Sequence, residues 1–316
     1  MTTLAQQSTG YVLVTAAYNE AAYIEKPISS VIAQTVLPTR WVIVSDGSND
    51  GTDEIASKYA RQYPFIELLR ITEDHPRNFV AQVNAINRGV RQLHNCRYDF
   101  IGNLDADVSF DSSYFERLLG KFDADPLLGL VGGSIFENSS TGFRPRSTNS
   151  VSAVAHAVQL FRRQCYEQCG GYTPLPYGGP DWYAEVTARM KGWQVRSFPD
   201  LPVYHHRPTG TAGGLLKACF RQGRMDFSFG THPAFEILKL ARRLPSRPVG
   251  LGALFRAAGF IWSWLRREPR SVPAKFAEFL RREQIGRLRL GFAHLIPKAV
   301  LTSAEPYQGA GASQPR

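Results

Sequence analysis

Phe100-Ile101-Gly102-Asn103-Leu104-Asp105-Ala106-Asp107-Val108-Ser109-Phe110 is the stretch whose reading decides the fold. Its first half is apolar and suits a buried strand. Asp105 and Asp107 close it, two residues apart. In extended backbone, side chains at i and i+2 point to one side. Two carboxylates held that way repel unless a cation lies between them. Hard divalent cations take such oxygen ligands and bridge to phosphates. Asp is also common in turns, and on this stretch alone a strand closed by a polar turn is the more ordinary reading.

Outward from it, apolar runs alternate with helical patterns. Tyr11–Ala17 is an apolar, β-branched run that ends at Tyr18-Asn19-Glu20. Residues 21–34 carry Ile24, Ile28, Val31 and Ile32 on one helical face. Trp41-Val42-Ile43-Val44 reads as a second strand, followed by Ser45-Asp46-Gly47-Ser48-Asn49-Asp50-Gly51-Thr52. A helix over 53–63, a strand over 66–70 and a helix over 78–93 continue the series. Such alternation predicts a parallel sheet covered by helices on both faces. Ligands of such sheets gather at the carboxyl ends of the strands. Residues 18–20, 46–52 and 105–107 should therefore share one rim. Beyond residue 110 the spacing predicts helices over 112–122, 151–169 and 182–190. It also predicts strands over 130–136, 193–198 and 203–207, a polar loop over 137–148, and mainly helix after Leu215.

The rim residues carry specific chemistry. Gly47 and Gly51 allow a tight turn and close approach of backbone to a ligand. Asp46 is able to accept hydrogen bonds from a base or ribose, although an ordinary Asp-Gly turn accounts for the same residues. The loop lacks dinucleotide glycine spacing and a phosphate-loop lysine, which disfavours dehydrogenases and kinases. His205 and His206 offer imidazoles to a transition metal. Arg207, Arg221 and Arg224 are candidates for a diphosphate clamp, and a solvated face explains them equally.

Residues 14–20, 42–52, 84–89, 104–107 and 181–193, in that order and spacing, resemble the successive motifs of a family 2 glycosyltransferase with the GT-A fold. The resemblance covers roughly residues 11–235. It implies a mostly parallel central sheet flanked by helices, with a donor half over about 11–110 and an acceptor half over about 111–235. Residues 236–316 would follow as a basic, mainly helical C-terminal extension with a disordered end. The implied activity is transfer of a sugar, with inversion, from a UDP-, GDP- or dTDP-sugar to a glycan or lipid-linked acceptor. Mn2+ or Mg2+ would sit on the diphosphate, and the setting would be cell-surface polysaccharide biosynthesis. The family pattern puts Tyr18, Glu20, Asp46, Arg77 and Asp105 at the nucleotide-sugar, and Asp105, Asp107 and His205 at the metal; His206 would face away. Ser45 stands where a second acid is usual, which leaves the base open. Asp181 falls on the catalytic base, with Pro180 where the family commonly has Glu. An inverting displacement needs one carboxylate to take the acceptor's proton, and it must differ from those on the metal. Tyr172 and Trp182 suit an acceptor platform, with core packing the competing reading for Trp182. Arg207 and Arg224 are assigned to the diphosphate.

Composition sets limits on these readings. The chain has 316 residues, 43% hydrophobic, enough for two domains or one larger α/β domain with an extension. Its four cysteines are too scattered for a disulfide scaffold and read as reduced core thiols. The first ten residues lack a secretory pattern, and no apolar run is long enough to cross a membrane. A cytoplasmic protein, peripheral on the inner face of the plasma membrane, is expected. The net charge of +10 is lopsided: from Lys239 onward Lys and Arg exceed Asp and Glu by 11, while the preceding residues balance to within one charge. Residues 239–298 therefore either meet an anionic membrane or pack on the catalytic domain. No recognition motif accompanies the charge, so no nucleic acid is expected. Two rivals remain. A nucleotidyltransferase would need a basic Gly-rich loop where Tyr18-Asn19-Glu20 stands. A non-catalytic nucleotide-sugar or glycan-binding protein is hinted at only by Pro180.

Overall fold

A computed structural model describes residues 10–73, 78–140, 142–207, 214–245 and 248–293. The fold is a mixed α/β structure around one nine-stranded sheet. β1 (Tyr11–Ala17), β2 (Arg40–Asp46), β3 (Ile66–Ile71) and β4 (Phe100–Leu104) pair in parallel in the order β3-β2-β1-β4. Beyond β4 the sheet becomes mixed. β8 (Val158–Arg162) runs antiparallel to both β4 and β6 (Leu128–Ser139). β9 (Gln194–His205) lies parallel to β6 and antiparallel to the short β5 (Val108–Phe110).

The first strands read as continuous apolar runs because both faces are covered. Tyr11, Leu13, Trp41, Ile43 and Phe100 pack on one side, with α1 (Glu25–Ile32) and α4 (Tyr114–Ala124). Val12, Val14, Val42, Val44 and Ile101 pack on the other, with α3 (Phe79–Gln92). α3 touches the sheet at Gly89, where an added Cβ would lie 2.6 Å from Val14 and 2.8 Å from Val44. α2 (Thr52–Gln62) packs on β3 and β2.

Three local expectations change. The predicted helix over 151–169 is instead β8 followed by the short α5 (Arg163–Cys169). Residues Val158, Gln159, Leu160 and Phe161 are all buried, and a strand covered on both faces carries no alternation to separate it from helix. The predicted loop over 137–148 is largely a hairpin between the end of β6 and β7 (Gly142–Pro145). The two strands over 193–198 and 203–207 are one bent strand. Its register on β6 jumps from Phe198 to Pro202, a bulge spanning Pro199, whose nitrogen has no hydrogen to donate. Cys165 and Cys169 are buried free thiols.

Helices complete the molecule: α6 (Pro180–Met190), α7 (Leu215–Ser228), α8 (Pro233–Arg243), α9 (Leu251–Leu265) and α10 (Ala274–Ala293). Phe276, Ala277 and Leu280 of α10 share a core with Val186 of α6, Phe229 and Leu175. α7 and α9 cross in backbone contact. A Cβ at Gly223 would lie 1.9 Å from the Arg256 carbonyl oxygen, and one at Gly259 2.0 Å from that of Phe220. The predicted disordered end falls outside the described residues.

Candidate active site

Strand pairing assembles the centre of the site. β4 ends at Leu104, and the Asp105 amide donates to the Ala157 carbonyl oxygen at 3.0 Å. Val108 then pairs with His205 across β5 and β9, which sets His205 beside Asp107. His205 Nε2 lies 3.2 Å from Asp107 Oδ1. His206 points the other way, with Nε2 2.8 Å from Ser109 Oγ. One ligand atom each from Asp105, Asp107 and His205 lie within 4.8 Å of one another. Two carboxylates and an imidazole form a mixed oxygen and nitrogen set that fits Mn2+ well and Mg2+ through its oxygens. His205 Nδ1 is buried without a hydrogen-bond partner among the described residues.

Charge around this group is tightly managed. Arg207 pairs with Glu20 and lies 3.5 Å from Asp107 Oδ2. Burial pushes the Glu20 carboxyl up to about 7; Asp107 and Asp105 add to the rise, and Arg207 opposes it. Burial also works against ionised Asp105, yet His156, His205 and Asn103 outweigh it and hold its pKa below the usual value. For His205 burial favours the neutral ring, but Asp107 and Asp105 outweigh it and raise the pKa.

A cleft of 280 Å³ is lined by Asp46, Glu73, Asn78, Asn84 and Arg88 among others. Asp46 is buried at the carboxyl end of β2. The following loop is stitched to the first rim loop. Asp50 accepts from the Ala21 amide at 3.0 Å, Thr52 Oγ1 from the Glu20 amide at 2.8 Å, and Asn19 Oδ1 from the Asn49 amide at 2.9 Å. Asn19 adopts φ +53°, a left-handed conformation that Asn tolerates. Tyr18 is exposed at the same rim. Arg77 lies outside the described residues.

α6 carries Asp181, the acid whose charge reaches His156 beside Asp105. Gly179, at φ +81°, is its N-cap and Pro180 is its first residue, a position proline favours. Asp181 follows in the first turn, half-buried, with no hydrogen-bond partner among the described residues. Two groups that sequence reasoning missed flank it. His156, in the loop before β8, places Nδ1 3.2 Å from Asp105 Oδ1. A carboxylate only accepts, so Nδ1 carries the hydrogen. Burial disfavours the charged ring, but Asp105 and then Asp181 raise its pKa. Its Nε2 is buried and without a partner among the described residues. Glu185, one turn beyond Asp181 and 4% exposed, accepts from the Val154 amide at 2.6 Å. A lone His in an apolar run and a lone acid on a helix face gave no sequence signal; the antiparallel placement of β8 beside β4 supplies it.

Several predicted contacts are drawn elsewhere. Tyr172 is 3% exposed, donates to Gln159 at 2.5 Å and lies tilted against the His156 ring, so it offers no face for a stacked sugar. Trp182 stacks on Phe229 at 4.8 Å, with Lys239 near its ring. Arg224 pairs with Glu268 and Tyr177, and Arg221 lies over Phe79. Of the arginines assigned to the diphosphate, Arg207 adjoins the carboxylates.

Comparison with known proteins follows the same lines. The profile of Glycosyl transferase family 2 matches residues 12–177. Glycosyltransferase AglE of Haloferax volcanii is 29% identical over 222 residues, 66% of this chain and 69% of that protein. Poly-beta-1,6-N-acetyl-D-glucosamine synthase of Staphylococcus aureus is 32% identical over 256 residues, 74% of this chain but only 58% of the synthase. A mannosyltransferase of Pyrobaculum calidifontis, solved with GDP-Man and Mn2+, superposes with a TM-score of 0.55 at 17% identity, over 92% of this chain and 82% of that one. That likeness shows the GT-A fold. The chain belongs to glycosyltransferase family 2.

Proposed function

We propose that this glycosyltransferase moves a sugar, with inversion, from a nucleoside-diphosphate donor to a glycan or lipid-linked acceptor in cell-surface polysaccharide assembly. The observation that carries the reading is the pairing of two sites. The Asp105, Asp107 and His205 group follows β4 at the sheet edge where β2 ends in Asp46, and His156, whose Nδ1 lies 3.2 Å from Asp105, also feels the charge of Asp181. Asp46 and its neighbours hold the nucleoside, and Arg207 brings positive charge toward the diphosphate. Asp105, Asp107 and His205 would hold a divalent cation, which when bound supplies charge neutralisation at the leaving diphosphate. Asp181 takes the proton of the attacking acceptor hydroxyl. Pro180 at the first position of α6 is ordinary helix chemistry and does not count toward a non-catalytic protein. The relatives' names, a polysaccharide synthase and a mannosyltransferase solved with GDP-Man and Mn2+, support the substrate class and the metal. No described helix is long and apolar enough to cross a membrane.

A panel of nucleotide sugars screened by thermal shift with Mn2+ or Mg2+ identifies the donor, because a specific ligand stabilises by mass action. With that donor, Asp181→Asn should abolish transfer and leave metal-dependent donor binding intact. Loss of donor binding along with transfer would refute Asp181 as the base.

A further inference from the structure

Helix α9 is built inside out. Its buried positions are Ala253, Arg256, Gly259 and Ser263, small or polar. Its exposed positions include Leu251, Leu254, Ile261, Trp262, Trp264 and Leu265. An ordinary surface helix has the reverse arrangement. The inward face is fixed by its partners. Gly259 admits the α7 backbone, and Arg256 pairs with the fully buried Asp226 and lies 3.4 Å from buried Glu236. Turning α9 over would leave Lys239 as the remaining cation on two buried carboxylates and expose no replacement for Arg256, which is strongly unfavourable. The apolar stripe is therefore held outward, and Leu244 and Val249 extend it toward α8.

The charge around the stripe names the occupant. No Asp or Glu occurs from Ile237 to Arg267, a span that includes Arg242, Arg266 and Arg267. The Arg266 guanidinium lies 4.8 Å from the Trp262 ring centre. Apolar residues bordered by Trp and Arg, without acids, match an interface-bound helix on an anionic bilayer. On α10, by contrast, Phe276, Ala277 and Leu280 are buried against α6 and Phe229. The C-terminal end of α9 is also tied to the catalytic side. Ser263 donates to Glu268 at 2.7 Å, and Glu268 accepts from Arg224 and from Tyr177, in the loop that leads to Asp181.

We propose that α9 docks the protein on an anionic phospholipid surface, with its Trp262 end nearest the acceptor side of the site. The proposal rests on the reading of a membrane-borne acceptor and assigns the docking to α9 rather than to the whole basic tail. The test is co-sedimentation of the full chain with phosphatidylcholine vesicles, with and without phosphatidylglycerol. Binding should require the anionic lipid, and brominated lipid should quench tryptophan fluorescence. The triple variant Trp262→Ser/Trp264→Ser/Leu265→Ser should lose on the order of tenfold or more in vesicle binding. Its melting temperature should be unchanged, since those side chains are exposed; Leu254→Ser/Ile261→Ser probes the same face independently. Unchanged vesicle binding in both variants would overturn the assignment. So would a homodimer in size exclusion that the variants dissolve, with no vesicle binding by the parent chain. Transfer to a soluble acceptor separates the two readings. Absent transfer with intact vesicle docking defeats the proposed function alone, and intact transfer without docking defeats the α9 proposal alone.

Discussion

Replacing Glu185 with Gln should make the protein's stability markedly less sensitive to pH between about 4.5 and 8. The carboxyl is 4% exposed, and burial followed by the charge of Asp181 raises its pKa from 4.5 to about 8. The Val154 amide and Arg189, whose Nη1 lies 3.9 Å away, offset only part of this. The folded state thus holds the proton at pH values where the unfolded chain has released it. The stability tied to that proton is fully present below about 4.5 and is lost as pH rises toward 8. At about 1.4 kcal/mol per pH unit, the loss amounts to at most ~5 kcal/mol. The Gln side chain keeps an oxygen for the Val154 amide and does not ionise. Urea unfolding of both proteins across this range is the assay. The advantage of Glu185→Gln should be smallest in acid and grow by several kcal/mol as pH rises through the interval. A difference that stays flat with pH would refute the assignment of a buried, proton-holding Glu185.

Gly259→Ala should lower stability by about 1–3 kcal/mol, read as a drop in melting temperature, because its Cβ would overlap the Phe220 carbonyl. A parent-like melt would mean that α7 and α9 do not cross in contact. Asp107→Ala should remove the Mn2+-dependent part of donor binding by calorimetry; an unchanged metal response would count against the Asp105, Asp107 and His205 group. His156→Ala takes a charged-partner hydrogen bond from Asp105 and should weaken donor binding on the order of tenfold, whereas parent-like affinity would show that Asp105 is held without it.

Much of the architecture is written locally. The apolar runs that become β1, β2 and β4 announce themselves because each strand buries both faces, and the intervening helices carry their inward residues at helical spacing. The i, i+2 spacing of Asp105 and Asp107 is likewise local, as is the alternation that sends His205 and His206 to opposite sides. β8 was illegible for the same reason that β1 was clear. A short run buried on both faces has no period, and only its pairing with β4 and β6 makes it a strand.

What the sequence by itself determined is the order of strands and helices as far as β4, the rim at which their loops meet, and the residue types gathered there. The tertiary structure alone decided which chemistry stands opposite that rim and which way the basic tail faces. His156 reaches Asp105 across 51 residues of chain, and Glu185, although one turn from Asp181, is buried by its contact with Val154, so no local spacing encodes either role. Tyr172 went to the core for the same reason. The tail was ambiguous because α9 and α10 both combine aromatic and basic residues. Burial of Arg256 against Asp226 turned the apolar face of α9 outward, and burial of Phe276 turned that of α10 inward. A helical pattern gives the shape of each face, and only the neighbouring elements specify what that face meets.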